Sequence, residues 1–102
     1  MFNNPRYITR GIHEFMPQEL QIIIWEMIDR MTVKQDYLQV FEFSLISNEE
    51  VTALEIIHRQ EQPDFKENCV IFDIQVSEEI LNNKVFCIDD IEHSTMLFSY
   101  EY

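Results

Sequence analysis

The chain holds a single glycine, Gly11, among its 102 residues. Phosphate-gripping loops and dinucleotide fingerprints need several glycines so that backbone can approach the ligand closely. Both are excluded. Cysteine is scarce as well. Only Cys69 and Cys87 occur, so no disulfide framework holds the fold. Both sit in apolar, strand-like runs, where a thiol usually serves as a small buried hydrophobe. The longest apolar run is Ile22-Ile23-Ile24-Trp25, far short of the roughly 20 residues that cross a bilayer. The first residues, MFNNPRY, lack the basic start and apolar stretch of a secretory signal. A cytoplasmic protein with no membrane partner is expected.

Bases are few too. Nineteen acids against seven give a net charge of −12, and the imbalance is local. Residues 1–34 carry four of each sign, whereas residues 35–102 carry fifteen acids and only Arg59, Lys66 and Lys84 as bases. Such a surface repels phosphate backbones, so direct nucleic-acid binding is not expected. It attracts basic proteins, although the same charge also serves solubility alone.

What is present reads as one domain, residues 1–102, with 46% apolar and 13% aromatic residues. A short strand is expected through Tyr7-Ile8-Thr9-Arg10, ended by Gly11. Pro17 suits a first helical position, and Glu19 complements the dipole. Leu20, Ile23, Ile24, Met27, Ile28 and Met31 then recur as one apolar helical stripe. Ile22 and Trp25 fall off that stripe, beside each other on the helix surface. They are read either as covered by a loop or the N-terminal arm, or as an exposed contact pair.

From Tyr37 the pattern turns to strands. Tyr37–Ile46 and Val51–Gln60 make a hairpin around Ser47–Glu50, with Leu54, Ile56 and His58 on one face and Glu55 and Arg59 on the other. Gln62-Pro63-Asp64 breaks the pattern. Cys69–Ile74 resumes it, with Val70, Phe72 and Ile74 sharing a face, and Ser77–Asn83 reads as a capped helical turn. Val85–Ile88 and Thr95–Tyr100 form a second hairpin. The expected class is α+β, one amphipathic helix on a five- to six-strand, mostly antiparallel sheet.

The stretch CIDDIEHSTMLFSYEY, residues 87–102, gathers Cys87, Asp89, Asp90, Glu92 and His93. Asp, Glu and His together suit a hard divalent ion, so a small metal-assisted hydrolase is one reading. The spacing fits no metal motif, and Asp favours turns by bonding nearby backbone N–H groups. A structural hairpin turn is the expectation, with no metal and no cofactor. A thiol nucleophile at Cys87 or Cys69, served by His13, His58 or His93, lacks the positive surroundings that favour thiolate. A non-enzymatic protein is expected. The acids themselves are the remaining candidate. Glu42, Glu49, Glu50, Glu55, Glu61 and Asp64, with Asp89, Asp90 and Glu92, would present carboxylates in place of duplex phosphates. The partner would then be a basic nucleic-acid-processing protein, inhibited by DNA mimicry. A structural homodimer joined through Ile22 and Trp25 is the alternative.

Asn4-Pro-Arg-Tyr-Ile-Thr-Arg-Gly11, Asp36-Tyr-Leu-Gln-Val-Phe-Glu42, Ile88-Asp-Asp and Thr95-Met-Leu-Phe98 resemble a family of small Firmicute proteins, domain of unknown function 960. The resemblance extends over the whole chain, including the Pro-Gln-Glu-Leu helix start and the Glu101-Tyr102 ending. It implies a bacterial cytosolic protein carried on mobile elements such as staphylococcal chromosome cassettes. It implies no activity and no catalytic residues. Ser99 stands where relatives have proline, which implies a less rigid tail.

Overall fold

Residues 10–29 form two helices separated by Pro17: α1 (Arg10–Phe15) and α2 (Gln18–Asp29). They belong to a computed structural model that describes residues 1–102 throughout. Proline forces the preceding residue out of helical geometry. Met16 is accordingly extended, at φ −106° and ψ 122°, and ends α1. The remaining elements are β1 (Arg6–Ile8), β2 (Leu38–Ser47), β3 (Thr52–Gln60), β4 (Phe65–Phe72), α3 (Glu78–Asn82), β5 (Val85–Asp89) and β6 (Ser94–Phe98). A closing 3₁₀ turn covers Ser99–Glu101.

The six strands make one sheet in the order β1-β6-β5-β2-β3-β4. Only the β1–β6 pairing is parallel, so the α+β class with a mostly antiparallel sheet holds. Strand side chains alternate between faces, and the register carries the inner face across the sheet. Phe98 lies opposite Val85, Val85 opposite Phe41, and Phe41 opposite His58. Leu20, Ile24, Met27 and Ile28 of α2 are fully buried in one core with Phe41, Ile56, Val85 and Met96. Each such side chain contributes about 1.5–3 kcal/mol by leaving water.

Several boundaries differ from the sequence reading. The first strand stops at Ile8, and a helix starts at once. Thr9 caps it, its hydroxyl accepting from Ile12 N–H. Met31 lies beyond the end of α2, and the capped turn at Ser77 makes no side-chain cap bond. In β4 the face shared by Val70 and Phe72 is the outer one. Cys69 and Ile71 turn inward opposite Ile56 and Leu54, while Val70 and Phe72 are exposed. Register is fixed by the β3–β4 hairpin, and a one-residue slip flips every side chain.

Gly11 has a different task from ending a strand. The Glu101 carboxylate accepts from Thr9 Oγ1 at 2.7 Å, Phe98 N at 2.9 Å and Gly11 N at 3.1 Å. It thereby ties α1 to the far end of the chain. A Cβ at position 11 would stand 2.7 Å from Glu101 Oε2, so only glycine admits this contact. Burial alone would raise the Glu101 carboxyl, but these three donors hold it below its ordinary value. Gly11→Ala should therefore destabilise by about 1–2 kcal/mol in chemical denaturation. In a Glu101→Ala background the same change should become neutral or stabilising, because alanine is the better helix former by about 1 kcal/mol. An unchanged cost in that background would show that the carboxylate is not the obstacle.

Candidate interaction surface

Asp89 closes β5 and Ser94 opens β6, leaving Asp90–His93 as the turn. Asp90 N donates to His93 O at 3.0 Å, and His93 N donates to Asp90 Oδ1 at 2.9 Å. The His93 ring also lies 3.0 Å from the Asp90 carboxylate. The short acidic side chain thus closes the turn by bonding its backbone. Ile91 sits at the tip with φ 85° and 90% exposure.

Asp89, taken from the sequence as a surface carboxylate, points inward instead. Its Oδ2 accepts from the buried Phe2 N–H at 2.6 Å, and its Oδ1 from Ile91 N at 2.7 Å and Asn4 Nδ2 at 3.1 Å. Burial alone would raise its pKa, but these donors outweigh burial and hold the carboxyl below its ordinary value. With both oxygens so engaged, Asp89 serves the fold. It ties the N-terminal segment, and buried Phe2 with it, to the second hairpin. No three His, Cys, Asp or Glu side chains converge as ligands for one ion, around this turn or elsewhere.

The other candidate carboxylates do not form one face. Val40 opposes Arg59 and Leu38 opposes Ile88. The turns bearing Glu61 and Asp64, and Asp90 and Glu92, therefore share one end of the sheet. Glu49 and Glu50 cap the β2–β3 hairpin at the opposite end. Between them, on the outer sheet face, Glu42 is held by Arg59 and Lys84. Glu55 accepts weakly from Ser44 Oγ and from Asn68 Nδ2. These carboxylates thus fall into two separate acidic ends with a mixed face between them. Glu49, Glu50, Glu61, Asp64 and Glu92 take part in none of the four ion pairs in the chain.

On the helical side, Trp25 is half-buried beneath the N-terminal segment. The Arg6 guanidinium lies 4.8 Å from its ring centroid and pairs with Asp29. Ile22 beside it is 51% exposed. The arm therefore covers half of this pair.

No element covers most of the outer face of the sheet. Phe86, Val40, Arg59 and Lys66 form a row across four strands, and a groove of about 700 Å³ runs over Leu38, Val40 and Phe86. Tyr102 packs edge-on against Phe86 at one side. Lys66 escaped the sequence reading as a member of this row because the Pro63 break hid the first half of β4. The strand alternation around Lys66 could have found it.

His58 is fully buried, stacked on Phe41 and edge-on to Phe65. Gln60 Nε2 donates to Lys34 O and Pro63 O, so its Oε1 accepts from Gln39 Nε2. Gln39 Oε1 must then accept from His58 Nε2–H at 2.6 Å. That one-way chain fixes the tautomer and leaves Nδ1 a bare acceptor with no partner. Burial pushes the imidazole down to about 4. Cys87 is also fully buried. Its thiol is raised well above its usual value by burial, which Arg6 offsets only in part.

A six-strand sheet in that order, helices on one face and a largely open second face, defines a small α+β domain. The chain belongs to the family termed domain of unknown function 960, described as staphylococcal proteins of unknown function, whose profile matches residues 5–101. A crystal structure of a protein of unknown function from Enterococcus faecalis is similar in fold. Its TM-score is 0.75 at 20% identity, over 98% of this chain and 92% of that one. No curated protein matches the chain.

Two outcomes test the buried polar groups. Asp89→Ala leaves the Phe2 N–H buried without an acceptor and should cost about 2–3 kcal/mol in urea unfolding at pH 7. A loss under about 0.5 kcal/mol would show that the N-terminal segment is not anchored there. His58 is ordinarily protonated near 6.5 and in the fold only near 4, so as pH falls the unfolded chain takes the proton first. Stability should be flat above about 6.5 and fall by about 2 kcal/mol between pH 7 and 4.5. In His58→Phe that decline should vanish, and an equal decline in both proteins would assign it to other groups.

Proposed function

We propose that this protein is a non-enzymatic, acidic interaction module whose partner is a basic protein. The observation that carries this reading is the set of unpaired carboxylates on its turns. Glu61, Asp64 and Glu92 project from one end of the sheet and Glu49 and Glu50 from the other, none of them in an ion pair. At a net charge of −12 such ends accelerate encounter with a cationic surface and fix its orientation. A nucleic-acid-processing protein suits this charge best, since its phosphate-binding groove is cationic. Occupying that groove would make the protein an inhibitor. Two acidic ends favour a partner gripped at two points over one covered by an unbroken row of phosphate mimics. The same charge argues against direct contact with DNA or RNA.

Immobilised protein should retain basic proteins from a bacterial extract at about 50 mM salt and release most of them by about 300 mM. Duplex DNA should compete for the same proteins, and the triple variant Glu61→Gln, Asp64→Asn, Glu92→Gln should retain less than about one tenth as much. If the retained proteins are indifferent to duplex DNA, or the triple variant retains as much, the reading is wrong.

A further inference from the structure

Strand β4 lies at one edge of the sheet, and its second half carries none of the usual protections. It is eight residues long, and no backbone group outside β3 bonds to it. Folded proteins guard such edges by keeping them short or by placing charges and prolines on them. β1, at the other edge, has only three residues and includes Arg6. In β4 the stretch Asn68-Cys69-Val70-Ile71-Phe72 holds no charge and no proline. Val70 and Phe72 stand on its outer side at 45% and 60% exposure. Phe72 continues a row that starts at exposed Ile46 and crosses Ala53, so apolar surface reaches the edge. An acid brackets the stretch at each end. Glu67 and Asp73 are exposed and take part in no ion pair. Asp73, at φ 60°, is where the chain leaves the sheet. Lys66, next to Glu67, projects to the opposite face, and no further base occurs before Lys84.

We propose that the Asn68–Phe72 edge accepts an extended segment of the basic partner as an added strand, with a base at each end of that segment. The inference rests on the reading of a basic partner and names where a stretch of its chain is held. An unpaired strand edge offers backbone donors and acceptors in a row. An added strand satisfies them, and its side chains supply selectivity. Here residues opposite Val70 and Phe72 extend the apolar rows of the outer face, and bases opposite Glu67 and Asp73 meet exposed carboxylates. Those two positions are six strand steps apart, about 20 Å. The segment therefore has two bases at that spacing, with apolar side chains at alternate positions between them. A second copy of this chain does not meet the condition. Pairing the stretch with itself, antiparallel about Val70, sets Glu67 against Asp73 at both ends, and pairing it in parallel sets each acid against its own copy. Like charges directly opposite one another are destabilising. The edge complements the opposite sign, not itself.

The probe is the synthetic peptide Arg-Val-Thr-Val-Thr-Val-Arg, blocked at both termini. Titrated into isotope-labelled protein at about 50 mM salt, it should bind with a Kd of roughly 100 μM or tighter. Amide resonances of Cys69–Phe72 should shift more than those of the acidic turns. Replacing both arginines of the peptide by glutamate should weaken binding about ten-fold, as should Glu67→Gln combined with Asp73→Asn in the protein. Asparagine accepts the left-handed backbone at position 73, so that variant keeps its fold. Alternate residues of a strand bond to the same neighbour. Of two peptides N-methylated at either the valines or the threonines, one should bind within about three-fold of the parent and the other at least about ten-fold more weakly. The turn variant Glu61→Gln, Asp64→Asn, Glu92→Gln should bind the peptide within about three-fold of wild type. Its retention of extract proteins thus tests the basic-partner reading, and the peptide tests the edge. No binding, equal binding of both methylated peptides, shifts confined to the turns, or a wild-type dimer that Phe72→Lys dissociates would each overturn the proposal.

Discussion

The contact between the apolar stripe of α2 and one face of the sheet fixes which surfaces of the molecule are covered and which stay open. Leu20, Ile24, Met27 and Ile28 are spaced for one side of a helix, and they meet Phe41, Ile56, Val85 and Met96 in a single core. The helical layer uses its apolar surface there. One six-residue and one twelve-residue helix, with the single turn of α3, supply no second layer. The distal half of the β2–β3 hairpin reaches past this cover, so Leu45, Ile46 and Val51 remain exposed. The open outer face is thus a consequence of the amount of helix in the chain.

The chain uses its acids in two opposite ways. Asp89 and Glu101 turn inward, and each collects three donors that the fold would otherwise leave unmatched. An ionised acceptor forms stronger hydrogen bonds than a neutral one, so two carboxylates suffice to pin both chain ends against the second hairpin and α1. Both are held below the ordinary carboxylate range and stay charged well below neutral pH. Their contribution is lost only as acid protonates them. Of the remaining acids, Asp29, Glu42 and Asp90 have ion-pair partners, whereas Glu49, Glu50, Glu61, Asp64 and Glu92 on the turns have none. A count of −12 does not distinguish these uses. The number of backbone N–H groups aimed at each carboxylate does.

How far this could be read from the sequence depends on how local each cause is. The stripe of α2 and its proline start, the β2–β3 hairpin, and the strands flanking Asp90–His93 follow from neighbouring residues, and they were legible. Helix α1 was not, because Gly11 reads locally as a strand terminator. Its reason is the carboxylate of Glu101, ninety residues away. Phe2 gave no periodic signal, yet it is 2% exposed, because Asp89 and Arg6 hold its backbone N–H and C=O. The alternation of Val70 and Phe72 marked a shared face but not the side it lies on, and the hairpin register turns it outward with Cys69 and Ile71 inward. Ile74, beyond β4, packs against the core. The acids were visible as a charge, but their split between two ends follows from strand order, which no local pattern encodes.

The polarity of the two sheet faces then separates two kinds of contact. The field of an acidic end reaches over a Debye length of about 8 Å in physiological salt, so a cationic partner of the kind proposed would be attracted before contact. On the outer face the charges are partly compensated at contact distance. Glu42 shows the difference. Held by Arg59 and Lys84, it contributes little to the long-range field, yet it fixes where both cations point. The Arg59 guanidinium thereby reaches from β3 to Glu42 on β2. A surface that neutralises part of its own charge is poorly suited to steering. In the proposed reading, long-range attraction of a cationic partner therefore rests on the turns, because the strands neutralise part of their own charge.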